Sequence, residues 1–269
     1  MKILSGTELA GYEKEKQAPE VRQVVATKHR RPKLVIIRDS ENPVIMKYVG
    51  LKKQYGEDIG VEVEEGAASG KEKLVEAIEK ANNDASVAGI IVQLPLASVG
   101  AEELDEVLAK IASEKDVDGL RPEMDGKFDS ATATAINWLL AGYGIELGAP
   151  KKVAIVGRGR LVGRPLYKMF KNSGVEVGIF HRGDELEKLE NYDVVVTATG
   201  SPRIIKSEYI RAGAVVVDAG TASEDGVLVG DVEEAVRERD DLAAITPKIG
   251  GVGPLTVAAL FDHVIRAAE

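Results

Sequence analysis

The stretch that most constrains the chain is residues 153–165, VAIVGRGRLVGRP. Val153 to Val156 form an uninterrupted apolar run of buried-strand length. Gly157-Arg158-Gly159 follows as a turn, and an apolar helix begins near Val162, with Pro165 early in it, where its missing N–H costs nothing. Strand, glycine turn and helix N-terminus in that order make an anion site, because free backbone N–H groups and the positive helix end face the same point. The spacing of Gly157, Gly159 and Gly163 is one residue longer than the usual dinucleotide fingerprint. A glycine turn needed only for close strand–helix packing has the same appearance. The motif alone leaves both readings open.

The rest of the chain alternates strands and helices. After the glycine turn come a helix to Asn172, strands Val175 to Phe180 and Asp193 to Thr197, a short helix near Glu208, and a strand Ala214 to Ala219. The N-terminal part reads as a helix capped by Ser5 or Thr7 and running to about Val24, then a strand Lys33 to Arg38. A helix after Asn42-Pro43, a strand Val61 to Glu64, a helix Lys71 to Asn82, a strand Val87 to Gln93 and a helix Ala101 to Ala112 follow. Leu120 to Ser130, with Pro122 and Gly126, reads as a linker, and Thr132 to Leu140 as a helix joining two units. This alternation predicts an α/β fold with parallel strands, in two units around a cleft.

Composition excludes several classes. The net charge of −9 argues against general nucleic-acid or anionic-membrane binding, though not against a local basic pocket. The absence of Cys removes disulfides and thiolate chemistry, and His29, His181 and His263 lie too far apart for metal-ligand spacing. The N-terminus turns polar after two apolar residues, unlike a signal peptide, and no apolar run reaches membrane-spanning length. A cytoplasmic, soluble protein is expected.

Five local features carry chemistry. Lys28-His29-Arg30-Arg31 is a basic group that suits either a phosphate or a solvated loop. Tyr48 and Lys52 share one helix face at a spacing of four. Gln93 ends an apolar strand, where open α/β sheets place ligand contacts. Lys115-Asp116-Val117-Asp118-Gly119 is a charged segment closed by a glycine turn. Beyond Phe180, where an NAD site usually supplies an acid, stand His181-Arg182-Gly183-Asp184. Arg182 there, with Arg158 in the glycine turn, favours a 2′-phosphate and hence NADP, while Asp184 can still take a ribose hydroxyl.

Taken together, these motifs resemble the bifunctional methylenetetrahydrofolate dehydrogenase/methenyltetrahydrofolate cyclohydrolases over nearly the whole length. The family's Y-V-x-x-K appears as Tyr48 to Lys52, its V-Q-L-P-L as Val92 to Leu96, and its K-D-V-D-G as Lys115 to Gly119. The G-R-S-x-x-V-G-x-P loop is matched by Gly157 to Pro165 with Gly159 in place of Ser, and G-G-V-G-P-x-T by Gly250 to Thr256. Three departures stand out: Ile45 where the family has Ser, Ser130-Ala131-Thr132-Ala133 in place of P-C-T-P, and Ile249 in place of Pro. The loss of that Ser hydroxyl bears on rate more than on reaction.

The resemblance implies a folate-binding catalytic domain over 1–130, completed by a C-terminal helix 253–269, and a Rossmann-like NADP-binding domain over 131–252. It implies NADP-dependent oxidation of 5,10-methylenetetrahydrofolate, then hydrolysis to 10-formyltetrahydrofolate, by a homodimer. Tyr48, Lys52, Gln93 and Asp118 are the expected catalytic residues, joined at the substrate by Leu94, Pro95, Gly251, Gly253 and Pro254. Gly157, Arg158, Gly159, Val162, His181, Arg182, Thr199, Gly200, Thr221 and Thr256 are expected at the cofactor. Asp118 suits a pterin's paired N–H donors and Tyr48 stacking on its rings. Lys52 is the proton carrier of the set, provided that burial lowers its pKa, with Gln93 holding the amine. Two alternatives remain at this point: a nicotinamide dehydrogenase of another small substrate, and a cofactor-binding paralogue with weak or no cyclohydrolase activity.

Overall fold

The computed structural model describes residues 1–121, 125–224 and 227–269, apart from the side chains of Val44 and residues 223–228. In chain order the elements are β1 (Lys2–Ile3), α1 (Gly6–Lys28), β2 (Lys33–Arg38), α2 (Pro43–Ile59), β3 (Glu62–Ala67), α3 (Lys71–Asn83), β4 (Val87–Val92), α4 (Ala101–Leu108) and α5 (Ala131–Gly142). There follow β5 (Lys152–Val156), α6 (Gly163–Asn172), β6 (Glu176–Phe180), β7 (Val194–Thr197), β8 (Val215–Asp218), β9 (Ala222–Glu224), β10 (Val227–Val229), α7 (Glu234–Arg237), β11 (Ala244–Ile245) and α8 (Val252–Ala268). Short 3₁₀ turns cover Leu186–Asn191 and Ser207–Tyr209. The chain divides into two compact units, one of residues 11–131 and 257–269, the other of residues 1–10 and 132–256.

The unit of residues 11–131 and 257–269 is built on a parallel three-stranded sheet in the order β3-β2-β4. All six residues of β4 are buried, as a strand covered on both faces requires. Leu74 and Ile78 of α3 and Leu108 of α4 pack with Val35, Ile37, Ile90 and Val92 in its core. At the β3 edge, Glu62 and Glu64 face Lys33 (3.8 and 2.5 Å), and such charges discourage pairing with another strand.

The other unit carries a parallel six-stranded sheet in the order β1-β11-β8-β7-β5-β6, and β9 pairs with β10 antiparallel. Because β5 lies between β6 and β7, the strand order reverses there, and the C-terminal end of β5 is the switch point at which such sheets receive ligands. Val153 to Val156 fill that central strand, each at most 2% exposed.

Three expectations need correction. Residues 1–10 do not belong with the rest of 1–130: β1 pairs with β11 and extends the six-stranded sheet, an element two residues long and too short for any periodicity to announce. The division near the C-terminus falls after Thr256, inside α8, rather than at its start. The expected linker is no exposed connector where it is described: Leu120, Phe128 and Ser130 are buried, and Asp116 accepts hydrogen bonds from the N–H groups of Leu120 (3.1 Å) and Arg121 (2.9 Å). Pro122 of that stretch lies outside the described residues. Smaller differences are the later strand Glu62–Ala67 and the earlier end of α4 at Leu108.

Candidate active site and cofactor turn

In the unit of residues 11–131 and 257–269, α2, the end of β4 and the loop after Asp116 bring three predicted side chains together. Lys52 on α2 donates from Nζ to Gln93 Oε1 at 2.6 Å. Gln93 follows β4 directly; its backbone N–H still donates to Ile37 O (2.8 Å), and its Nε2 donates to Leu94 O (3.0 Å). The amide is thus held at both ends, so Oε1 is presented to the amine in one orientation. Burial moves the Lys52 amine below its ordinary value, and the Asp118 carboxylate opposes that shift without cancelling it. Asp118 is itself pushed up by burial, with Lys52 and then His263 pulling the other way. Tyr48, one turn before Lys52, is half-buried, and burial raises its hydroxyl. Ile45, in the place of the family's Ser, is buried at 6% exposure. Leu94 is half-buried and Pro95 exposed, joined by a cis peptide bond.

The five residues of the Lys115 to Gly119 segment divide their work. Lys115 Nζ donates to the carbonyls of Ala81, Asn82 and Asp84 (3.1, 2.7 and 2.8 Å), closing the C-terminus of α3. Asp116 is fully buried, holds the amides of residues 120 and 121, and is pushed up to about 6 by its burial. Val117 is fully buried. Gly119 has φ +66°, and a Cβ there would stand 2.5 Å from Ser130 N, so both conformation and space demand glycine. Asp118 alone has no structural duty for its side chain: among the described residues its carboxylate has no hydrogen-bond partner. The glycine turn thus leaves one carboxylate of the segment, that of Asp118, without a hydrogen-bond partner among the described residues.

Sequence reasoning set His263 aside. The structure buries it at 2% exposure with Nδ1 2.8 Å from Val117 O and its ring stacked on Phe128, centroids 4.9 Å apart. A single His on a helix gave no spacing signal, and only the chain's return along α8 reveals its neighbours.

In the other unit, the glycine turn follows β5 and opens α6. Gly157 has φ +113°, and a Cβ on it would lie 2.5 Å from Ala198 O; one on Gly163 would lie 1.9 Å from Gly157 O. A Cβ on Gly159 meets nothing within 4 Å. Val162 turns its side chain into the core at 9% exposure, leaving its backbone as its contribution to the turn. Arg158, His181 and Arg182 are exposed. Asp184 faces its own loop, its Oδ2 accepting from His181 N (2.7 Å) and lying 3.3 Å from His181 Nδ1. That engagement explains why an acid near this strand end need not act as a ribose ligand.

The loops after β7 and β8 rest on two buried acids that the sequence did not single out. Asp218 accepts from Thr197 Oγ1 (3.2 Å) and pairs with Arg237; Asp231 Oδ2 accepts from Thr199 N (2.6 Å). Gly200 follows with φ +66°, and Thr221 is exposed. Gly251 is buried, Gly253 exposed and Pro254 half-buried at the start of α8, where Thr256 Oγ1 donates to Val252 O (3.2 Å). Gly6 packs against Gly251 O, and Thr7 N donates to Gly250 O (3.0 Å), so the N-terminus of α1 braces this glycine-rich loop. Ile249 is 84% exposed. The predicted residues thus fall into two sets: Tyr48, Lys52, Gln93, Leu94, Pro95 and Asp118 in one unit, and the rest in the other.

Among the described residues no helix is long and apolar enough to cross a membrane. Residues 4–118 match the family described as "Tetrahydrofolate dehydrogenase/cyclohydrolase, catalytic domain", and residues 130–269 match its "NAD(P)-binding domain". The chain is 37% identical to the bifunctional protein FolD of Aquifex aeolicus, over 98% of this chain and 94% of that protein. Among solved structures it is similar to the bifunctional FolD of Campylobacter jejuni, with a TM-score of 0.91 at 31% identity, covering 100% and 98% of the two chains. It is similar as well to the Trypanosoma brucei FolD, which was solved with NADP and an inhibitor, with a TM-score of 0.89 at 30% identity over 99% and 96%.

Proposed function

The chain belongs to the tetrahydrofolate dehydrogenase/cyclohydrolase family, and from that membership we infer how its residues divide the two reactions. The first reaction oxidises 5,10-methylenetetrahydrofolate to the methenyl cation with NADP as acceptor. The second adds water to that carbon and opens the ring to 10-formyltetrahydrofolate. Matches to both domains, over residues 4–118 and 130–269, favour this reading over a different dehydrogenase or a paralogue lacking one activity.

The observation that carries the assignment of roles is the Lys52–Gln93 contact at 2.6 Å, with the amine's pKa lowered by burial. Ordinary lysine is protonated at neutral pH and a poor base; a desolvated one is partly neutral and can take a proton. In our reading Lys52 removes the proton from the water that attacks the methenyl carbon and returns it to the nitrogen released as the C–N bond breaks. Gln93 holds the amine by accepting one of its hydrogens, and adds no charge that would raise its pKa again. Asp118, with no hydrogen-bond partner among the described residues and close enough for its charge to act on Lys52, accepts the two parallel N–H donors of the pterin. Tyr48 stacks on the ring system, with Leu94 and Pro95 beside it.

The residues of the other unit fit a dinucleotide. Gly157 and Gly163 make a turn that no side chain fills, at the N-terminus of a ten-residue helix, and two exposed guanidiniums, Arg158 and Arg182, flank it. In this reading the turn takes the pyrophosphate, the arginines and His181 the 2′-phosphate, and Val162, Thr199, Gly200, Thr221 and Thr256 the remaining contacts. Gly251, Gly253 and Pro254 are assigned to the substrate on the family resemblance. Bound NADP supplies the hydride acceptor, and the chain's part is to hold the donor carbon against it. The family resemblance supports a homodimer and a cytoplasmic setting. The test is one purified preparation assayed for NADPH formation from methylenetetrahydrofolate and, separately, for loss of the methenyl absorbance without cofactor. Both rates are expected. A preparation that binds NADP and catalyses neither would overturn the reading.

A further inference from the structure

Asp118 can take two parallel hydrogen bonds only if its backbone is fixed, and the structure fixes it from both sides. On the far side, Asp118 O accepts from Ala131 N (3.3 Å), and Gly119 is wedged against Ser130 N. On the near side, the Val117 side chain is buried against Gly89, where any Cβ would meet it at 2.7 Å. The Val117 carbonyl, which shares a peptide plane with Asp118 N, points at His263 Nδ1, 2.8 Å away. A carbonyl only accepts, so Nδ1 carries the hydrogen. The His263 ring is stacked on Phe128 at 22° between ring planes, which sets the direction of that N–H. Phe128 is itself flanked by Lys127 Nζ (5.3 Å) and Arg266 (5.5 Å). Burial also holds the His263 imidazole below its ordinary value, which favours the neutral ring.

We propose that His263 is a positioning residue for the folate: its Nδ1–H, aimed by the Phe128 stack, orients the 117–118 peptide and so the Asp118 carboxylate. This rests on the reading of Asp118 as the pterin anchor. It makes α8 a second support of the substrate site, reached through one backbone carbonyl. Neither the Tyr48–Lys52 face nor the Lys115 to Gly119 motif contains this residue, so His263 contributes to substrate affinity without touching substrate.

Two substitutions separate the hydrogen bond from the packing. His263→Asn places an amide Nδ2 where Nδ1 stood and removes the ring. His263→Phe keeps a ring against Phe128 and removes the donor. The proposal expects His263→Phe to raise the methylenetetrahydrofolate KM about tenfold, with a smaller change in kcat and none in NADP affinity. It expects His263→Asn to keep KM within about twofold of wild type. Placed on Asp118→Asn, His263→Phe should add no further rise in KM, since both act through one carboxylate. A normal KM for His263→Phe, or a larger rise for His263→Asn than for His263→Phe, overturns the proposal. If His263→Phe does not fold, His263→Asn decides alone: a KM near wild type supports the donor role and a raised one sinks it. Asp118→Asn in the same assay is the control for the underlying reading. If it binds folate normally, the anchor assignment fails. If it is impaired while His263→Phe is not, only the role of His263 fails.

Discussion

The unit that holds Lys52 and the unit that holds the glycine turn prepare for their ligands in opposite ways. Around Lys52 the groups we assign to the reaction are side chains, and the surroundings are committed to fixing them: Gln93 is tied at both ends, and Lys115, Asp116 and Gly119 all serve the loop that presents Asp118. Around Gly157 the groups we assign to the cofactor are backbone amides and exposed guanidiniums, and the buried acids Asp218 and Asp231 hold the neighbouring loops. Physical chemistry asks for this difference. A proton carrier needs its pKa moved, which only burial and a chosen neighbour achieve. A phosphate is held by charge and N–H groups that lose little by standing at the surface. Substitutions in the first region should therefore change rates by orders of magnitude, and those in the second should change affinity more gently.

Lys52→Met should break the comparison most sharply. The variant keeps chain length and removes the titrating nitrogen, so the cyclohydrolase should fall by about 10²- to 10⁴-fold. Hydride transfer needs no proton moved by the enzyme, so part of the dehydrogenase should survive. The wild-type cyclohydrolase should rise with pH through a Lys52 value below 10.5, because the lowered pKa frees the neutral amine earlier than in free lysine. The variant's residual rate should not follow that rise. Both rates are to be measured on one preparation with NADP binding as the folding control. Cyclohydrolase that persists while dehydrogenase collapses would make Lys52 a positioning residue only.

Asp118→Asn comes next. The side chains are nearly isosteric, so the thermal midpoint should move little, and among the described residues no hydrogen bond of the carboxylate is lost. The amide presents a donor where the pterin also donates. Two charge-assisted bonds are affected, and the folate KM should rise about ten- to a hundredfold in both reactions. Unchanged folate affinity would reduce Asp118 to a turn residue and remove the strongest side-chain contact from this region.

How far the sequence could anticipate this follows the same division. The pairing of Lys52 with Gln93 was legible because both stand in motifs with fixed spacing, one on a helix face and one at a strand end. The glycine turn was legible because its conformation is local. His263 was not, since its partners, Val117 and Phe128, are more than a hundred residues away in the chain. Asp116 drew no reading of its own within its charged segment, because its burial and the amides it holds depend on a loop folding back over it. β1 and β11 were missed because two-residue strands carry no period, and they misled the domain boundary at the N-terminus. Local chemistry showed in the sequence, and long-range support did not.

In the second region, Arg182→Ala should weaken NADP by about tenfold and NAD far less, because one charge-assisted contact to the 2′-phosphate is lost from an exposed position. Titration of both cofactors against the same preparation makes the test. Equal losses would mean that the guanidinium does not meet the phosphate, and the preference for NADP would have to come from Arg158 or His181.

The smallest expected effect on the fold, and the finest probe of the comparison, is Gly159→Ala. Its two companions are structural: Gly157 combines a φ of +113° with a contact at 2.5 Å to Ala198 O, and Gly163 leaves no room for a methyl beside Gly157 O. Alanine at either should therefore unsettle the turn with or without cofactor. Gly159 is different, since a Cβ there meets only open space. Replacing it should leave the thermal midpoint of the free protein unchanged or slightly raised, because alanine restricts the unfolded chain. A methyl on that open face can only be felt by something that approaches the turn. If the pyrophosphate comes close to the backbone here, NADP affinity should drop several-fold while the free protein is unaffected. A variant that binds NADP as wild type does would place the phosphates away from Gly159. The same loss of stability with and without NADP would show that the open space around Gly159 is already used by the fold.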